Sequence, residues 1–221
     1  MRFRPISWER LAGELAERVL SRPGTGWVRI AVDGALDTAT LADAMVDPLR
    51  VNGRRPLRVS TKDFLRPASL RFERGRRDPD VRYRDWLDEG ALRREVLEPL
   101  APGGSGEVLP ALWDAERDRA TRLDRVALPP GAVLIADGEL LLGRGLPFDL
   151  TVHLAISPAA LRRRLPEDQH WALPAFERYE HEVRPGEIAD LLVRADDPRH
   201  PAVAAVPGGR FAGRAADPVT G

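Results

Sequence analysis

The chain has 221 residues, 43% of them hydrophobic and 31% charged, and its formal net charge is zero. That is enough for one globular domain with a substantial core, and the neutral balance provides no global field to recruit nucleic acid or an anionic membrane. The absence of cysteine removes disulfides, thiolate metal sites and cysteine nucleophiles. In chain order, Ser7 caps a helix to about Ser21 that places Trp8, Leu11, Leu15 and Val19 on one face. "RPGTG" at 22–26 breaks it, and "WVRIAVD" follows as a short apolar strand ending at Asp33-Gly34. A helix from Thr38 or Thr40 to Leu49 and a strand "PLRVST" at 56–61 complete a βαβ unit, the signature of a parallel sheet.

"WLDEGALRREVLEPL" at 86–100 reads as helical, and the polar centre of the segment at about 106–123 reads as a β-hairpin. "AVLIADG" at 132–138 and "DLTVHLAI" at 149–156 are unbroken apolar runs, as strands buried on both faces should be. Ser157 starts a further helix with proline in its first turn, and "IADLLVR" at 188–194 is a fifth strand. These elements predict a three-layer α/β domain over 1–204, with a mostly parallel five-stranded sheet and helices on both faces. The Gly-, Pro- and Ala-rich stretch from 205 to 221 is expected to be a disordered tail. Ligands of such a sheet sit at the carboxyl ends of its strands. No run of 18 apolar residues is present and the N-terminus is not a signal peptide, so a cytoplasmic protein without membrane contact is expected.

The segment from Val28 to Met45 has the outline of a phosphate-binding loop: strand, Asp-Gly turn, hydroxyl residues, helix. A working loop reads G-x-x-x-x-G-K-[ST], with backbone N–H groups around the phosphates, a lysine on them and a hydroxyl on magnesium. Here Gly34 precedes Thr40 by six positions instead of seven, Ala39 stands where the lysine belongs, and the second glycine is absent. The N–H groups at Thr38, Ala39 and Thr40 remain an anion-binding candidate, beside the plain alternative of an ordinary strand–turn–helix connection. Of the 34 basic residues only Lys62 is a lysine, so any task that needs one falls to it. The stretch from Arg66 to Arg84 carries seven arginines, but Glu73, Asp78 and Asp80 among them favour a phosphate-side or solvated face over a nucleic-acid groove. The four histidines show no metal-ligand spacing.

Four segments carry a family resemblance. "STKDFLRP", "GRRDPDVRYRDWLDEGALRREVLEPLAPGGSG", "ADGELLL" and "FERYEHEVRPGEIADLLV" come in the order and spacing of the uridine kinase-like nucleoside kinases, and the likeness runs from about Trp8 to Pro201. It implies a P-loop kinase fold, a hairpin over the nucleoside, an arginine-bearing lid at about 162–175, and phosphoryl transfer from ATP with magnesium to a nucleoside or small hydroxyl substrate. Tyr83, Asp85, Asp88 and Arg178 match the nucleoside side, and Arg162, Arg163 and Arg164 the lid. Asp137 matches the acid that holds magnesium through water, with Thr40 as the hydroxyl partner. The family's base, the first acid before an aromatic, is replaced by Lys62, and Asp63 is the acid that survives. The resemblance thus supports two expectations: a divergent phosphotransferase using Lys62 and Asp63, or an inactive homologue that binds a nucleotide or nucleoside and acts through a partner. It leaves oligomeric state open.

Overall fold

A computed structural model describes residues 2–22 and 26–207. The chain starts with β1 (Arg4–Pro5), α1 (Trp8–Leu20), β2 (Val28–Gly34), α2 (Thr38–Val51) and β3 (Pro56–Ser60). A 3-10 turn at Thr61–Phe64 leads into α3 (Ala68–Arg71), α4 (Pro79–Asp85) and α5 (Glu89–Leu92). The helical expectation for 86–100 is met in pieces, since α5 continues as a π turn at Arg93–Leu97 and a 3-10 turn at Glu98–Leu100. Pro99 cannot donate an N–H, and this favours closing the segment in a different register. The hairpin region holds β4 (Glu107–Val108), β5 (Trp113–Asp114), β6 (Arg119–Ala120) and β7 (Val126–Ala127), paired antiparallel as β4 with β7 and β5 with β6. Then come β8 (Val133–Gly138), β9 (Leu150–Ala155), α6 (Pro158–Arg164), a 3-10 stretch at Glu167–Ala172, α7 (Leu173–Glu182), α8 (Pro185–Ile188), β10 (Leu191–Arg194) and β11 (Ala202–Ala205).

The five expected strands are all present and all parallel, in the order β3-β8-β2-β9-β10, with β2 inside the sheet. Two short antiparallel strands, β11 and β1, extend the edge beyond β10, so the described sheet has seven strands rather than five. The fifth strand begins at Leu191, because Ile188 closes α8 and Asp190 turns back to accept from the Thr151 N–H. The tail expected from 205 is corrected at its start: Ala205 pairs with Leu191, and Val206 is buried with its N–H on the Asp190 carbonyl. Residues 208–221 lie outside the described residues.

Alternation along the central strands divides the core into two layers. Ile30, Val32, Val133 and Ile135 face α1 and α2, which contribute Leu11, Leu15, Val19, Leu41, Met45 and Leu49. Ala31, Leu134 and Ala136 face the other way, onto Phe64, Leu92, Leu97, Leu141 and Phe176. The result is the three-layer arrangement read from the sequence. Among the described residues no helix is long and apolar enough to cross a membrane.

Candidate functional site

The carboxyl ends of β2, β3 and β8 meet at one place, because the three strands are parallel and adjacent. Close packing there depends on two glycines. A Cβ on Gly34 would lie 2.8 Å from the Cβ of Leu154, and one on Gly138 would lie 1.7 Å from the Thr61 hydroxyl oxygen. Only three residues, Ala35, Leu36 and Asp37, separate the end of β2 from the start of α2. Asp37 takes a left-handed backbone (φ 63°) and its side chain makes no capping bond. Instead both carboxylate oxygens accept from Nη2 of Arg164, at 2.8 and 2.7 Å, while Nη1 of Arg164 donates to the Ala195 carbonyl at 2.8 Å. Both partners of this pair are largely shielded, with side chains 20% and 16% exposed.

A second arginine holds the acid at the end of β8. Asp137 accepts from Nε of Arg58 at 2.8 Å and from Nη2 at 3.1 Å, and from the Thr38 hydroxyl at 3.3 Å. The Asp137 side chain is 3% exposed, so the pair sits where solvent screens it little. The bond to Asp137 raises the Arg58 pKa further, with burial opposing it and Asp43 adding to it. Asp63 stands nearby in the 3-10 turn. Burial raises its pKa, Asp137 raises it again, and the Arg58 and Lys62 charges work against both. Lys62 itself is exposed, and its ammonium makes no ion pair among the described residues. The two neighbours therefore do not form the exposed ion pair that their adjacency suggests.

Above these groups lies a cleft of about 690 Å³. Of the expected residues, Gly34, Thr38, Ala39, Lys62 and Asp63 line it, and Asp137 lies under its floor beside Gly138. Thr40 does not: it is exposed one position further along α2, and Thr38 presents the hydroxyl to Asp137 in its place. Arg164 reaches the cleft only through Asp37, Arg162 lines a neighbouring cavity, and Arg163 is exposed.

Of the nucleoside-side set the structure brings together only Tyr83 and Arg178, and not at the cleft. Asp88 caps α5 through the Ala91 N–H, and Asp85 is half-exposed, 4.0 Å from Arg66. Arg178 pairs with Asp80 and Glu182 and lies over the Tyr83 ring, whose hydroxyl donates to Glu182. Burial raises the Tyr83 pKa, with the Glu182 contact second. None of these four lines the cleft.

Other side chains of the same region do. Arg82 and Trp86, one helical turn apart, line the cleft together with Glu139 and Arg144. Arg82 donates to Glu139 at 2.8 Å and lies 4.6 Å over the Trp86 ring. Arg144 ties the wall together, through Glu89 and the Tyr83 carbonyl. The buried Nε of Arg82 and Nε1 of Trp86 have no hydrogen-bond partner among the described residues. The i, i+4 spacing of Arg82 and Trp86 was the available signal.

A buried network supports β2 from behind. Asp33, fully buried, accepts from the Leu141 N–H at 2.8 Å and from the Tyr179 hydroxyl at 2.9 Å, and bonds Nδ1 of His153 at 2.6 Å. Tyr179 in turn accepts from the Leu142 N–H. Burial works against a charge on His153, but the Asp33 bond, with Glu180 on the other side, outweighs it and lifts the imidazole to about 9. Burial, with Asp33 next to the hydroxyl, pushes the Tyr179 phenol far above its ordinary range, so it stays protonated.

No protein-family model matches the chain, and no curated protein sequence matches it. Solved structures do. A possible uridine kinase from Bacillus stearothermophilus superposes with a TM-score of 0.66 at 18% identity, covering 82% of this chain and 96% of that one. A putative fructose transport system kinase from Silicibacter sp. TM1040 gives 0.55 at 21% identity, covering 82% and 91%. The chain has the fold of the uridine kinase-like P-loop kinases.

Proposed function

We propose that this chain is a kinase-fold protein that binds a nucleoside, or a hydroxylated molecule of similar size, and acts through a partner without transferring phosphate. One observation carries the reading: Asp37, next to the expected phosphate position at Thr38, and Asp137, at the expected metal position, are each already held by an arginine. A triphosphate at the start of α2 would have to take Arg164 from Asp37 while the Asp37 carboxylate repelled it. A magnesium ion would have to take Asp137 from Arg58. The residues present therefore do not fit a magnesium–nucleotide complex. Phosphoryl transfer works by positioning and charge neutralisation, and loss of one stabilising cation removes about 10²–10³-fold in rate. The cleft itself stays open, and Arg82 and Trp86 line its wall, with the Arg82 guanidinium also bonded to Glu139.

A second reading, a divergent phosphotransferase, is favoured by Asp63, whose raised pKa beside the cleft suits a general base. In that case Lys62→Ala should remove most nucleoside-dependent ATP turnover. Calorimetric titration with uridine, cytidine, adenosine and fructose tests the binding reading. At least one of these should bind with 1:1 stoichiometry whether or not magnesium–ATP is present, and Arg82→Ala should weaken it by about tenfold. Absence of binding by all four, or binding only in the presence of magnesium–ATP, would reject it.

A further inference from the structure

A small pocket of about 190 Å³ lies at the opposite edge of the sheet from β3, where α1 passes β10 and β11. The two strands form its apolar side through Leu191, Ala204 and Ala205. Its charged side comes from Arg2 and Arg4 at the start of the chain and from Glu14 and Arg18 on α1. It shares no lining residue with the cleft, and β9 separates β10 from the strands that end there.

The one acid in this lining is already matched. Glu14 accepts from Arg4 Nη2 at 2.6 Å and from Arg10 Nε at 3.3 Å. Arg18 is not matched: its side chain makes no ion pair among the described residues, and its Nη1 is buried without a hydrogen-bond partner. The carbonyls that an arginine at this helix end would cap are taken. The Ser21 N–H bonds Glu17, the Ser21 hydroxyl bonds Arg18, and the Arg22 N–H bonds Val19. Arg2 is exposed and also makes no ion pair among the described residues. Guanidinium groups keep their charge in proteins, so three such charges stand against one carboxylate, an excess of two. A charged donor shielded from water without an acceptor is costly, and the described residues supply none to Arg18.

We propose that this pocket is an anion site that takes a small phosphate monoester. Such a group carries about −1.5 to −2 charge at pH 7, which matches the excess, and guanidinium forks bind its oxygens in pairs. A carboxylate brings a single charge and leaves the other unanswered. The pocket is smaller than the roughly 300–1,000 Å³ that holds drug-sized ligands, so it suits a phosphate on a short organic body. The site does not depend on what the cleft binds.

Inorganic phosphate is the probe, titrated into the full chain at constant ionic strength and followed by calorimetry and proton–nitrogen spectra. Saturable 1:1 binding is expected, with amide shifts centred on Ala204 and Ala205 and not on Thr38, Ala39 and Thr40 at the cleft. Acetate should bind at least about tenfold more weakly. Arg18→Gln should weaken phosphate binding by about tenfold or more while keeping the melting temperature, because no partner of Arg18 is left behind. Arg2→Gln, an exposed change outside the core, should weaken it in the same direction. Non-saturable binding, equal affinity for acetate, shifts centred on the cleft amides, or unchanged affinity in Arg18→Gln or Arg2→Gln would each overturn the proposal.

Discussion

Asp33→Ala should lower the unfolding free energy by about 3–5 kcal/mol, the cost of leaving one partner of a buried pair behind. Asp33 is fully buried and is the common acceptor for His153, Tyr179 and the Leu141 N–H. Without it the imidazole loses the contact that holds its charge, and two further donors are orphaned. The same pair predicts a pH dependence. The folded-state pKa of His153 lies near 9, above its ordinary 6.5. A raised pKa means that the stabilisation is complete below about 6.5 and is lost as pH climbs from there through 9. It amounts to about 3 kcal/mol at most. Urea titrations at pH 6 and pH 9.5 check both points. Wild type should weaken at the higher pH, and Asp33→Asn should be flatter across the window. A loss below about 1 kcal/mol in Asp33→Ala would show that the network is not what braces β2.

Arg58→Ala should cost about 3 kcal/mol, for a related reason. Asp137 would keep only the Thr38 hydroxyl as a donor while remaining under the floor of the cleft. Adding Asp137→Asn should recover part of the loss, since the neutral amide needs no counter-charge. The variant also makes the metal question testable. With Arg58 gone, the Asp137 carboxylate beside Thr38 is free for a hydrated divalent cation, so millimolar magnesium should raise the melting temperature of Arg58→Ala and leave wild type unchanged. Equal magnesium shifts in both proteins would mean that Arg58 does not guard the position.

The sheet was legible because its central strands carry the plainest signal there is. "VRIAV" and "VLIAD" are buried on both faces, so hydrophobic runs and Asp-Gly ends mark them directly. The added edge strands were not, since Arg4–Pro5 spans two residues and Ala202–Ala205 is a short small-residue run after a proline. Only β1 is a true edge, while β11 pairs with both β1 and β10, and strands this short leave little pattern. In the site, the missing lysine and the shortened loop are visible in the sequence. The partners of Asp37 and Asp137 are not, because Arg164 lies 127 residues from the first and Arg58 lies 79 from the second. Family matching placed Tyr83, Asp85 and Asp88 toward the ligand. Helical phase instead turns Arg82 and Trp86 to the cleft and leaves Asp88 as a cap. The lack of metal-ligand spacing around His153 says nothing of its burial, because its partners, Asp33 and Glu180, come together only in the fold.

The most direct measurement is phosphorylated product itself, followed by phosphorus NMR with the full chain, ATP, magnesium and each nucleoside in turn. If internal arginine pairs have replaced phosphate and metal, no product should accumulate above the protein-free control, even for a nucleoside that binds by calorimetry. Turnover at about 1 s⁻¹ or faster with any nucleoside, within the ordinary range for enzymes, would contradict that account.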